Sequence, residues 1–318
     1  MSEGGGERHD NFFTRCEHML LIASRQGAIS TVESLLKEKI DVNTQDTHKW
    51  TALHNAASNN KEEITDLLID AGAEVNTQNE DGDTALHIGC YEARKGIVQR
   101  MLDAHADVNI QNKRGNTALH NIVKYYFPWN RQNEEGCKLK HQNNEDIIKL
   151  LISGNADVNK HDNAGRTSLH FASWCGKVDA MQLLIDANAG VNITDSYDRT
   201  PLFHGTLRGQ FSADLEKTVT TLLKAKGNIN HQDKDGMTVL HHASEDGDVD
   251  CVKILLAENA DTSILDKVGQ TPWEKTTAND IHDVFQHDKY LKHRTTILCL
   301  YHRIGIPLEL ALYIWKLV

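Results

Sequence analysis

Five histidines, His54, His87, His120, His170 and His241, each stand three residues after a threonine. Imidazole ligates zinc and titrates near neutral pH, so such a set first suggests a metal centre or a general base. The spacing argues against both. The threonines stand at 51, 84, 117, 167 and 238, and the motif recurs without its histidine at 200 and 271, giving gaps of 33, 33, 50, 33, 38 and 33. A side chain that returns with a fixed period serves what every unit shares, here hydrogen bonding between neighbouring turns, and not one localised reaction. Asn43, Asn76, Asn109, Asn159 and Asn192 recur in the same way and are read as ties between units.

Other chemistry is equally thin. Cys16, Cys90, Cys137, Cys175, Cys251 and Cys299 form no CxxC pair and no regular spacing, which excludes a zinc ribbon and a disulfide framework. A reducing compartment, cytoplasmic or nuclear, is expected. The sequence contains no phosphate-binding glycine loop, nucleophile elbow or HExxH pair, so the chain is read as non-catalytic and without a cofactor or metal. Its 34 basic against 45 acidic residues give a net charge of -11, which disfavours nucleic acid and anionic membranes as partners and leaves a protein. No uncharged apolar run is long enough to span a bilayer.

The elements that carry these residues follow from the period. Each threonine opens TALH, TSLH, TPLF, TVLH or TPWE, where it can cap a short helix, and Pro201 and Pro272 suit the first helical turn. Small residues follow (Ala56, Ala57, Ala172, Ser173), and then a leucine-rich second segment such as ITDLLIDAGAEVN. Gly82, Gly115, Gly165, Gly236 and Gly269 recur just before the threonines, at tips where a positive φ is needed, and Lys49 and Asp198 replace glycine in two tips.

This pattern resembles the ankyrin repeat over roughly residues 17–292, in seven in-register copies. An eighth copy, HMLLIASRQGAISTVESLLKEKIDVN, lacks the threonine motif, as a terminal cap does. The resemblance implies an all-α repeat fold: an ankyrin-repeat solenoid of about eight helix-turn-helix units with β-hairpin tips, plus a C-terminal helical tail. The expected organisation is a disordered leader over 1–16, repeats over 17–292 with an insertion near 124–141, and a cap or tail over 293–318. The resemblance also makes the DVN asparagines candidates for hydroxylation by an asparaginyl hydroxylase.

Function is expected where the units differ. Positions that face the concave surface in ankyrin folds hold Trp50, Asp83, Tyr91, Arg166, Trp174, Tyr197, Arg199, Arg208 and Met237, a set rich in the residue types that dominate protein interfaces. The insertion brings Tyr125, Tyr126, Phe127 and Trp129, which either cover the stack or contact a partner.

The closing stretch GIPLELALYIWKLV reads as a helix over about 307–318 that is apolar nearly all round, so one flat contact cannot cover it. It resembles the opening of an F-box, as in poxviral ankyrin proteins, with Ile306, Pro307, Glu309, Leu310, Ile314 and Trp315 as candidate docking residues. Isoleucine replaces the usual leucine before the proline, and only the first turns of the motif are present. A SOCS box fits less well, because Thr295 stands where a leucine is expected four residues before Cys299. An ordinary capping helix is the third reading. The function expected is a protein–protein interaction scaffold working through its concave face. The alternative is a substrate receptor of a cullin-RING ubiquitin ligase, with the tail on Skp1 or elongin.

Overall fold

The computed structural model describes residues 6–124, 134–206 and 215–304 of the 318-residue chain. Eight helix pairs follow one another: α1 (Gly6–Gln26) and α2 (Ile29–Lys37), α3 (Ala52–Ser58) and α4 (Glu62–Asp70), α5 (Ala85–Tyr91) and α6 (Lys95–Asp103), α7 (Ala118–Lys124) and α8 (Glu134–Ser153). The second half continues with α9 (Ser168–Trp174) and α10 (Val178–Asp186), α11 (Pro201–Thr206) and α12 (Leu215–Lys224), α13 (Val239–Glu245) and α14 (Val249–Ala257), α15 (Pro272–Lys275) and α16 (Asn279–Ile304). Odd-numbered helices pack on odd-numbered ones and even on even, from α1 to α15 and from α2 to α16. The result is an all-α solenoid, two rows of helices deep.

The rows are held by one continuous apolar core. A single position in the second helix recurs as Leu68, Met101, Leu151, Leu184, Leu222 and Leu255, all without exposed surface. Each such side chain contributes about 2 kcal/mol by leaving water. In the first helices Ala56, Ala57, Ala172 and Ser173 are likewise fully buried, and their small size lets neighbouring units approach. The asparagine ties run along one side of the loops that follow the second helices: Asn43 Oδ1 accepts from the Glu74 amide at 2.8 Å, Asn109 from Asp157 at 2.7 Å and Asn192 from Asn228 at 2.8 Å.

Three expectations need adjustment. The tips form no β-hairpins: the described residues contain no strand, only one bridge between His161 and Thr167. The reason is chemical, since an Asp or Asn side chain in each tip captures the amides that a ladder would use. The leader is not unstructured along its length, because α1 begins at Gly6 and no Gly or Pro interrupts residues 7–26. The boundary expected at 292/293 falls inside α16. Much of the insertion is also helical, since α8 has 20 residues where α4, α6, α10 and α14 have nine. The extra residues fall, in chain order, after α7 and between α11 and α12, at the first-to-second-helix interval that their spacing predicts.

Candidate partner-binding surface

Each tip is organised by one carboxylate or amide. Asp46, Asn79, Asn112, Asp162, Asp195, Asp233 and Asp266 each accept, through Oδ1, the amides two and four residues on, at 2.8–3.0 Å. This Asx-turn geometry fixes the residue just before the threonine. Tips then join: Lys113 donates its amide to the Asp81 carbonyl at 2.9 Å, and the same contact recurs from Ser196 to Ala164 and from Lys267 to Asp235.

The motif histidines sit directly behind. His120 Nδ1 accepts the Thr117 amide at 3.1 Å, and its Nε2 lies 3.1 Å from the Arg166 carbonyl of the next unit. An amide can only donate and a carbonyl only accept, so the proton resides on Nε2. His54, His87, His170 and His241 repeat this on Asp83, Asn116, Arg199 and Gln270. Burial lowers the affinity of all five for a proton, and His120 and His170 fall to about 4. Each ring nitrogen is committed to the backbone, which leaves none for a metal or a substrate. Among the described residues no cluster of His, Cys, Asp or Glu is arranged to hold a metal ion, and no helix is long and apolar enough to cross a membrane. Burial pushes the thiols of Cys175 and Cys251 up to about 11 and about 12.

The idiosyncratic residues fall into three groups. Tyr91, Trp174 and Tyr197 are 49%, 36% and 60% exposed, from the ends of α5 and α9 and from the tip before α11. Arg166 and Arg199 are half-buried and already engaged: each guanidinium pairs with the carboxylate four residues back, Asp162 at 2.7 Å and Asp195 at 3.0 Å. Each also lies 4.7 Å from a ring centroid, of Phe171 and Tyr197 respectively. Trp50 packs beside His54, and Asp83 accepts from Asn112 Nδ2 at 2.7 Å. Met237 does not belong to the strip, because its side chain is 6% exposed and shielded within the stack. Arg208, the aromatic insert Tyr125, Tyr126, Phe127 and Trp129, and the tail residues Ile306, Pro307, Glu309, Leu310, Ile314 and Trp315 lie outside the described residues.

Sequence reasoning missed the second oxygens of the tip acids. Asp195 Oδ2 receives His204 at 2.9 Å besides Arg199, Asp233 Oδ2 receives His242 at 2.7 Å, and Asp266 Oδ2 meets Lys275 at 3.0 Å. Burial alone would raise the Asp195 carboxyl, but hydrogen bonds from His204 and from the Arg199 and Tyr197 amides outweigh it and hold the group far below the usual carboxylate range. The signal was present, since a basic residue nine positions after a tip aspartate recurs at 204, 242 and 275.

A family model for ankyrin repeats matches the chain in three copies, over residues 20–112, 137–213 and 211–286. The chain belongs to the ankyrin repeat family. The matched segments begin inside α1 and end inside α16, so both terminal units are part of the ankyrin array. Ankyrin repeats make the chain a protein–protein interaction scaffold.

Among the described residues, two recesses open on the tip side of the ankyrin array. One, about 310 Å³, is lined by Arg25, Asp46, His48, Trp50, Asn55 and neighbours; the other, about 210 Å³, lies between Trp50 and Tyr91 and is lined also by Asp81, Asp83 and Glu92. Trp50 is the wall between them. Three of the residues singled out by sequence, Trp50, Asp83 and Tyr91, therefore meet in one cleft, whereas Trp174 and Tyr197 stand on open surface farther along.

Proposed function

We propose that this ankyrin array binds a protein partner across the strip formed by Tyr91, Arg166, Trp174, Tyr197 and Arg199. The observation that carries the reading is the exposure of three large aromatic side chains from three units on the tip side of the stack. Exposed Tyr, Trp and Arg of this kind supply most of the binding energy at protein interfaces. The two guanidinium groups are held in advance by Asp162, Asp195 and two rings, so a partner finds them ordered and little side-chain entropy is lost on contact. The test compares proteins captured by the full-length chain, by a Trp174→Ala/Tyr197→Ser variant, and by a Lys253→Ser control in the second helix row. Specific partners should disappear with the double variant and remain with the control. A capture pattern unchanged by the double variant, with folding verified by circular dichroism, refutes the strip.

The sequence of the tail supports a second reading, in which the strip holds a substrate and residues 306–315 dock a ubiquitin-ligase adaptor. Its basis is the IPLEL pattern with its apolar continuation. A chain ending at residue 303 should then lose Skp1 and cullin while keeping the strip's partner. Absence of Skp1 and elongin from the full-length capture removes this reading.

A further inference from the structure

In four units the chain fills its own cation niche. Asp162, Asp195, Asp233 and Asp266 are each met by a basic side chain four or nine residues on: Arg166, Arg199 with His204, His242, and Lys275. Twice the cation is a guanidinium that also lies on an aromatic ring. A carboxylate edge and an aromatic face around one guanidinium is thus an arrangement this array builds for itself.

The cleft between Trp50 and Tyr91 has the same kind of walls and, among the described residues, no cation in its lining. The positions four and nine residues after Asn79 are Asp83 and Ile88, and no described Lys or Arg lines the cleft. Instead Asp81, Asp83 and Glu92 stand around the two rings. Among the described residues Asp83 accepts only a neutral amide, and Glu92 is met by Arg94 at 3.7 Å from outside the lining, so the described lining is net negative.

Two largely buried side-chain amides each keep one polar atom open to the cleft. Asn79, 5% exposed, uses Oδ1 on two backbone amides, and its Nδ2 donates to no group among the described residues. Asn121, also 5% exposed, donates Nδ2 to the His87 carbonyl at 3.4 Å, while its Oδ1 accepts nothing there. Both line the cleft. Open to the cleft, these atoms meet water in the free protein and can exchange it for the polar groups of a ligand. At about 210 Å³ the space is smaller than the roughly 300–1,000 Å³ typical of small-molecule sites, which favours one side chain of a larger partner.

We infer that the cleft between Trp50 and Tyr91 receives an arginine side chain of the bound protein. The guanidinium faces the two rings, Asp83 and the Asn121 carbonyl oxygen accept its N–H groups, and Asn79 Nδ2 is left for a backbone carbonyl of the partner. This deepens the protein-binding reading and rests on it.

The experiment titrates the full-length chain, labelled at its tryptophan indole nitrogens, with Nα-acetylarginine methylamide and with its neutral isostere, Nα-acetylcitrulline methylamide. The arginine probe should shift the Trp50 indole signal and leave Trp174 in place, and citrulline should act at least tenfold more weakly. Asp83→Asn retains an acceptor for Asn112 yet should weaken the arginine effect about five- to tenfold; Tyr91→Ser should do the same through the lost ring. Equal shifts from the two probes, or no Trp50 shift up to about 50 mM arginine probe, overturn the inference. If Trp174→Ala/Tyr197→Ser abolishes partner capture while Trp50 ignores arginine, this assignment alone fails and the binding strip stands.

Discussion

Lowering the pH from 7 to 5 should destabilise the array through its buried histidines. His120 and His170 bind a proton at about 6.5 in the unfolded chain and only at about 4 in the fold. Their folded values are depressed because burial disfavours the charged ring, which outweighs the carbonyl each ring faces. The stability they supply is complete above 6.5 and is lost as the pH falls toward 4, the window in which the unfolded state holds more protons. At pH 5 the unfolded chain gains about 2 kcal/mol from each of the two rings, hence about 4 kcal/mol together, and His54, His87 and His241 act in the same direction. That is a large share of the roughly 5–15 kcal/mol of an ordinary domain. Asp162 and Asp195 act in the same direction but in a lower window: their carboxyls lie below the usual 3.8, so their contribution survives until the pH falls under that value. Urea unfolding at pH 7, 6, 5 and 4.5, followed by far-UV circular dichroism, measures the loss. Proton NMR of the ring C–H groups tests its cause. A stability at pH 5 within about 0.5 kcal/mol of that at pH 7, or a His120 resonance that titrates near 6.5 in the folded chain, refutes the reasoning.

Other substitutions probe the tips. Gly165 has φ +76°, and a Cβ there would stand 2.9 Å from the Ser196 amide nitrogen, so Gly165→Ala should cost about 2–4 kcal/mol in urea unfolding. Gly269, at φ +80° with nothing within 4 Å, should cost only about 1 kcal/mol as alanine, since no further tip follows it. Lys49 and Asp198 hold the same position at φ 60° and 58°, so glycine there should stabilise by about 0.5 kcal/mol after its own entropy cost, a small rise in thermal midpoint. Asp195→Ala strands Arg199, His204 and two backbone amides and should cost about 3–5 kcal/mol by chemical denaturation, whereas Asp195→Asn should cost less.

The period of 33 revealed the architecture because it samples the same environment repeatedly: Thr84, His87 and Gly82 mean the same thing as Thr51, His54 and the tip Lys49. Repetition also separated the structural histidines from any catalytic reading, and each ring bonds to a backbone carbonyl of the next unit. The candidate surface was less legible. Side-chain direction decided Met237, which sits at the same register position as Arg166 and Arg199 yet turns inward, because nothing polar at its end holds it in solvent. The pairing of Arg166 and Arg199 with their own tip aspartates was also invisible to a reading that looked for a partner's contacts. Helix continuity misled in the other direction: charged and amphipathic residues before Cys16 extend α1, and α8 absorbs much of the insertion, since length between motifs records extra residues without recording their conformation.

The asparagine ties and tip contacts link each module only to its immediate neighbours, at offsets that restart with every threonine. Cutting out residues 84–116 as a block would bring Thr117 directly behind Asp83, with each severed link offered an equivalent mate. A gene carrying such a chain can therefore gain or drop whole modules by in-frame duplication or excision, changing the reach of its gripping surface while the joints between the remaining pieces stay the same.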